Sequence, residues 1–127
     1  MKILISPAKK LDFSSEKTFL ENSTFVFSEK SKIIMKELSS YSDLQLSKLM
    51  KISSNLGILN KERNDNWKFP FPKNESKQAL LSFKGEVYQN MKIDKFNKSD
   101  SEFANDRLRI LSGLYGILKP SDLILPY

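Results

Sequence analysis

Two short apolar runs predict the strands of this chain. Residues 2–6 form an apolar, β-branched run that is stopped by Pro7, which is the pattern of a short buried strand. Residues 108–112 form a second run of this kind. The sequence Gly113-Leu114-Tyr115-Gly116 then predicts a tight turn, and residues 117–120 close it.

Between these strands the spacing is mostly helical. Ile33, Ile34, Leu38 and Tyr41 recur on one face, which predicts a helix over 29–40 with that face turned to the core. Polar residues suited to capping precede each apolar stripe. The predicted N-caps are, in chain order, Ser28, Ser42 (a capping box with Gln45), Ser53, Asn74 or Ser76, and Ser99 or Ser101.

One segment breaks the helical layer. Trp67, Phe69 and Phe71 alternate with Pro70 and Pro72, so residues 64–72 are predicted to be a loop whose aromatic rings pack on the core. The resulting fold class is mixed α/β, with short buried strands and a helical layer in one domain over 1–127.

Composition narrows the chemistry. The chain has no cysteine and no histidine, so we expect no disulfide, no zinc or iron–sulfur site and no imidazole base. We expect no metal and no cofactor. Lysine and arginine total 21 against 15 acidic residues, a net charge of +6. That excess favours attraction to nucleic acid, although the abundance of lysine, asparagine and isoleucine is also what an AT-rich genome produces.

No stretch of the sequence predicts export or membrane insertion. The first apolar run is Ile3-Leu4-Ile5, which is too short for a signal peptide, and no other run approaches the length of a membrane span. We therefore expect a cytoplasmic protein with no membrane partner.

Lysines follow predicted strands at two places. Lys9 and Lys10 come directly after the first strand and Pro7, where α/β folds gather ligands. Residues 83–88 predict a strand, a turn and a new helix, and Lys84 and Gly85 stand where the strand becomes the helix, so they are a second candidate for holding an anion. The structural alternatives are that Asp12 neutralises Lys9 or Lys10 and that Gly85 supplies a positive φ.

Arginines mark a third candidate. Arg107 and Arg109 flank the second strand, and Lys119 follows the turn between Gly113 and Gly116. Arginine offers a planar fork for phosphate, and a hairpin with two glycines is similar to the DNA-binding turn of helix-hairpin-helix modules. The structural alternative is a simple turn beside an Arg107–Asp106 pair or a pair between Arg109 and a glutamate.

Five blocks of the sequence carry a resemblance when they are taken together: residues 5–12, 49–53, 83–88, 108–120 and 122–127. In this order and over the whole chain they resemble the YaaA peroxide-stress family, with Lys10, Glu86 and Lys119 as mild departures.

The resemblance implies a bacterial cytoplasmic protein of the peroxide response, which keeps free intracellular iron low and limits oxidative damage. It also implies DNA binding and a helix-hairpin-helix-like element, with no established catalytic residue. Members of the family are about twice as long, so we expect this chain to correspond to the N-terminal half of the fold, cut after Tyr127, with the missing C-terminal half as a partner.

Two functions follow as hypotheses. The first is a non-enzymatic protein that binds double-stranded DNA non-specifically through its phosphates. The alternative is an enzyme acting on a phosphate-containing or nucleotide-like molecule, with Lys9, Lys84 and Arg109 as an anion clamp. Both lead us to expect that these three residues and Lys119 converge on one face. We also expect exposed apolar surface at 118–127, and at 2–6 if that strand lies at a sheet edge.

Overall fold

The computed structural model describes residues 1–14, 17–72 and 74–127, and these residues form a mixed α/β fold, as predicted. The elements are, in chain order, β1 (Ile3–Ile5), β2 (Lys10–Leu11), α1 (Ser28–Ser39), α2 (Asp43–Met50), α3 (Ser54–Asn66), β3 (Lys77–Gln78), α4 (Ala79–Ser82), β4 (Phe83–Lys84), α5 (Glu86–Asn90), a 3-10 turn (Ile93–Lys95), α6 (Lys98–Arg107), β5 (Leu108–Ser112), β6 (Gly116–Leu118) and β7 (Leu123–Ile124).

The largest sheet has three strands in the order β1-β5-β6. β1 runs parallel to β5, with Leu4 opposite Arg109, and β5 runs antiparallel to β6. Two smaller antiparallel pairs, β2 with β4 and β3 with β7, stand beside it. Residues far apart in the chain therefore meet through strands of only two residues.

The prediction that the first strand is buried is wrong. β1 lies at the edge of its sheet, and Ile3 and Leu4 are 42% and 60% exposed. The expectation of exposed apolar surface at 2–6, if this strand lies at a sheet edge, is thereby confirmed. Leu111 of β5 and Ile117 of β6 pair with each other and are exposed too.

The prediction of an exposed apolar face at 118–127 is wrong. Leu118 and Ile124 are fully buried, because β6 pairs with β5 and β7 pairs with β3. The ring of Tyr127 stands 5.2 Å from that of Tyr115, edge to face. The end of the sequence therefore packs on the core.

Aromatic rings fill the core, as the alternation at 67–71 predicted. Phe25 is 2% exposed and touches three rings: Phe69 at 5.4 Å, Phe71 at 5.7 Å and Tyr115 at 4.9 Å between centroids. Trp67 packs against Phe71. Edge-to-face contacts dominate, which is the arrangement that the ring quadrupoles favour.

The first helix is present as predicted, but only part of its predicted apolar face meets the core. Leu38 packs against the core, whereas Ile33 is 65% exposed and Ile34 is 39% exposed, and Ser31 and Met35 are buried instead. The Ser31 hydroxyl donates to the carbonyl of Leu114 at 2.7 Å, so this contact turns the Ser31 side of α1 inward.

The predicted helix N-caps are confirmed at two positions and differ from the structure at three. Ser42 and Ser53 cap α2 and α3, and Ser42 forms the predicted capping box with Gln45. Three other predictions differ from the structure: Phe27 rather than Ser28 is the N-cap of α1, Asn97 caps α6, and the segment after Asn74 enters β3 before α4 begins at Ala79.

Candidate anion-binding site

Pairing of β2 with β4 brings two predicted site residues together. Lys10 lies directly opposite Lys84 in this ladder, and Lys9 precedes Lys10 on the exposed loop that begins at Pro7. Directly opposite residues of an antiparallel pair project on the same side of a sheet. Lys10 and Lys84 therefore project from one side of this strand pair, and we call them, together with the exposed neighbour Lys9, the lysine ladder (Lys9, Lys10 and Lys84).

One carboxylate partly balances the ladder. Asp12 Oδ2 lies 4.0 Å from Lys84 Nζ, while Asp12 Oδ1 accepts bonds from the backbone N–H and the hydroxyl of Ser14. Those hydrogen bonds from Ser14 hold the pKa of Asp12 below its ordinary value, with smaller help from Lys77 and Lys84. The ion pair that Asp12 forms is with Lys84, and not with Lys9 or Lys10 as the structural alternative supposed.

A buried lysine that sequence reasoning missed stands behind the ladder. Lys77 is only 7% exposed, and its ammonium donates to the backbone carbonyl of Asp12 at 3.1 Å. Burial lowers the pKa of Lys77; Asp12 raises it and Lys84 lowers it. Nothing in the local pattern around Ser76-Lys77-Gln78 marks this lysine, because its burial follows from the pairing of β3 with β7.

A cavity of about 640 Å³ opens beside these lysines. Its lining combines lysines with apolar side chains, and Asp94 is the one acidic residue among the described lining residues. The lining lysines are Lys17, Lys77, Lys84 and Lys92, and the apolar lining is Phe19, Leu80, Leu81, Phe83, Ile93 and Phe96. Tyr88 also lines the cavity; it is 5% exposed, and its hydroxyl donates to the Ser6 carbonyl at 2.7 Å.

Gln78 fixes one wall of the cavity. Its side chain is 3% exposed; Oε1 accepts from the Phe19 backbone N–H at 2.6 Å, and Nε2 donates to the Leu20 carbonyl at 2.7 Å and to Asn22 Oδ1 at 2.9 Å. Since these bonds join segments almost 60 residues apart, the segment that carries Phe19 is held in place before any ligand arrives.

Gly85 serves the site by its small size. Its φ is −179°, an extended conformation open to any residue, so the suggestion that it supplies a positive φ is wrong. A Cβ at this position would lie 3.1 Å from the Cβ of Ala8. Gly85 thus lets the loop after β1 approach the turn between β4 and α5.

The remaining predicted residues lie elsewhere on the sheet. Arg109 is opposite Leu4 near the start of β5, and Lys119 directly follows β6, whose last residue pairs with Ile110. Lys9 and Lys10 instead follow the carboxyl end of β1. The structure therefore brings the site residues together in two groups. One is the lysine ladder, and the second group, at the opposite end of the sheet, is Arg107, Arg109 and Lys119.

Both arginines of the second group, Arg107 and Arg109, form ion pairs or hydrogen bonds within the protein. Arg107 forms the Asp106 pair of the structural alternative, with Nε 2.8 Å from Oδ2, and it donates to the Met1 carbonyl. Arg109 donates to the carbonyls of Asn105 and Leu108 rather than to a glutamate. Their guanidinium groups are thereby oriented by the chain itself.

The turn at Gly113–Gly116 is not part of a helix-hairpin-helix element. Strands β5 and β6 flank it, so it is a β-hairpin. Gly116 has φ +75°, and a Cβ there would lie 2.7 Å from Phe27 Cδ2, which explains the glycine on structural grounds. A Cβ on Gly113 would meet nothing within 4 Å.

Within the described ranges, none of the helices combines the length and the apolar character that crossing a membrane requires.

Comparison with known proteins identifies close relatives. The sequence model of a family described as "Peroxide stress protein YaaA" matches residues 1–127. A UPF0246 protein of Clostridium botulinum (strain Eklund 17B) is 46% identical over 127 residues, which is all of this chain and 49% of the relative. A UPF0246 protein of Cellvibrio japonicus is 45% identical over 124 residues, or 98% of this chain and 48% of the relative. The chain spans about half the length of the curated relatives it matches.

Proposed function

This chain belongs to the peroxide stress protein YaaA family, and from that premise we propose that it acts in the bacterial peroxide response as a non-enzymatic protein that binds double-stranded DNA through phosphate groups. The observation that carries the proposal is the pairing of Lys10 directly opposite Lys84, with the exposed Lys9 next to Lys10 in the chain. Lysines are point charges suited to backbone phosphates, which carry no sequence information. The protein should therefore bind duplexes without regard to sequence.

The charge around the ladder supports the same conclusion. Asp12 is the only acidic side chain that forms an ion pair with a ladder lysine among the described residues, and that pair is long at 4.0 Å. The engaged arginines at the other end of the sheet, Arg107 and Arg109, are weaker candidates for phosphate contact, because their donors already meet carbonyls or a carboxylate.

On the basis of the family, we propose that the protein acts in the cytoplasm, where it lowers free iron and limits oxidative damage. The chain has no cysteine and no histidine, so direct chelation of iron would depend on carboxylates alone. An indirect route, through protection or regulation of DNA, fits this composition better.

The test is a salt titration of duplex binding. If about four phosphates are neutralised, log K should fall against log salt with a slope of roughly −3.5. Lys10→Ala and Lys84→Ala should each weaken binding for every sequence and reduce the slope by about one. Lys36→Ala is the matched control, because it removes the same charge from an exposed position on α1. Binding that ignores salt, or an equal effect of Lys36→Ala, would contradict the proposal.

A further inference from the structure

The cavity beside Lys77 has the chemistry of a small-molecule site, and among its described lining residues it shares only Lys84 with the lysine ladder. Its volume of about 640 Å³ lies in the range of ligand pockets in proteins, and a DNA duplex cannot enter such a space. A ligand that fills it must therefore be small.

The lining suits a ligand that has two chemically different parts. Leu80 and Phe83, each 1% exposed, give the cavity an apolar lining, and the rings of Phe19 and Phe96, 6.3 Å apart between centroids, form what we call the Phe19–Phe96 wall. This wall suits a flat apolar group. The lining lysines suit a group with negative charge.

Lys77 is the residue that makes the charged side specific. A lysine that is 93% buried costs stability unless its charge is compensated. The one hydrogen bond of its ammonium within the described residues goes to a backbone carbonyl, and the nearby charges are the Asp12 carboxylate, which is opposite in sign, and Lys84, which is like. Asp12 is also the ion-pair partner of Lys84, so two ammonium groups share one carboxylate. A bound anion would supply a second negative charge.

We propose that this cavity binds a phosphate ester of a flat heterocycle, the chemistry of a nucleoside monophosphate, with the phosphate between Lys77 and Lys84 and the ring against the Phe19–Phe96 wall. Gln78 holds that wall in place in advance, so little ordering is required on binding. The inference goes beyond duplex binding, since it concerns a different ligand and a buried lysine that the ladder does not include.

The experiment compares three probes by isothermal titration calorimetry at low ionic strength: AMP, adenosine and inorganic phosphate. We expect AMP to bind at least about tenfold more tightly than either of the others, because only AMP engages both sides of the cavity. Absence of AMP binding at millimolar concentration would overturn the proposal. Equal affinities for AMP and adenosine, or for AMP and phosphate, would overturn it as well, since one wall would then contribute nothing.

Variants locate the binding. Lys77→Met should weaken AMP binding by about tenfold or more while duplex binding changes little, and a cooperative melting transition shows that the variant folds. Lys92→Gln, at the exposed rim of the cavity, provides a second test that leaves the core untouched, with a smaller loss of roughly threefold. Lys36→Gln is the control. If AMP binds Lys77→Met and Lys92→Gln as it binds the parent protein, its site lies elsewhere and the proposal fails, whatever the outcome for DNA.

Discussion

Replacing Tyr115 by phenylalanine tests whether the Gly-Leu-Tyr-Gly turn is a structural feature or a DNA contact. The Tyr115 hydroxyl accepts from Trp67 Nε1 at 2.9 Å and from the Leu125 backbone N–H at 3.0 Å, and it donates to the Leu125 carbonyl at 3.0 Å. A hydroxyl has one donor and two acceptor positions, so all of them are used. The side chain is fully buried, and no solvent replaces the lost oxygen.

The magnitude follows from these three bonds. Each buried hydrogen bond contributes about 1 kcal/mol net, so Tyr115→Phe should lower the free energy of unfolding by about 3 kcal/mol. Domains of this size are stable by about 5–15 kcal/mol, so the loss is a large part of the total. The aromatic contacts with Phe25 and Tyr127 remain in the variant.

The assay is urea unfolding, followed by circular dichroism and by the fluorescence of Trp67, the one tryptophan of the chain. Tyr41→Phe is the control, because the Tyr41 hydroxyl makes only an exposed 3.3 Å bond to Glu37, and its loss should cost under about 0.5 kcal/mol. If Tyr115→Phe unfolds like the parent protein but binds DNA less tightly, the structural interpretation of the turn is refuted.

Two further predictions concern the glycines of that turn and the buried lysine. Gly116→Ala should destabilise the protein by about 2 kcal/mol, because φ +75° disfavours a Cβ and the added Cβ would lie 2.7 Å from Phe27 Cδ2. Gly113→Ala should cost under about 0.5 kcal/mol, because a Cβ there would meet nothing within 4 Å. Urea unfolding measures both variants, and equal losses would contradict the structural role assigned to Gly116. Burial lowers the pKa of Lys77 in the folded protein, so the unfolded chain binds more protons between that pKa and 10.5. The free energy of unfolding should therefore rise with pH across this window. Lys77→Met should flatten the rise, whereas the control Lys36→Met should leave it in place.

Features set by neighbouring residues could be predicted from the sequence. The capping box of Ser42 and Gln45 depends on residues three apart, and the structure contains it as predicted. The strand Leu108–Ser112 and the turn after it depend equally on local composition and on Gly116. Where one short segment contains all the residues that determine a structural feature, the pattern of that segment is sufficient to predict the feature.

Features set by distant partners could not be predicted. Ser31 faces the core because its hydroxyl meets the Leu114 carbonyl, 83 residues further along the chain, and this contact outweighs the apolar side chains of Ile33 and Ile34. The 118–127 segment is buried for a similar reason, since its cover comes from β3 and from Tyr115. The spacing of apolar residues along the chain does not predict such contacts.

The candidate site combines the two cases. Lys10 and Lys84 were found because lysines at strand ends are a recognisable pattern, but Lys77 was not, because only tertiary pairing buries it. What the structure adds is the energetic cost of the arrangement. Like charges directly opposite each other weaken an antiparallel ladder, and a buried lysine next to them weakens the fold further. Asp12 offsets only part of that repulsion, through a 4.0 Å pair and a backbone carbonyl. An arrangement of like charges that costs stability is typical of a binding site, and a phosphate bound between Lys77 and Lys84 would offset the repulsion between these two lysines.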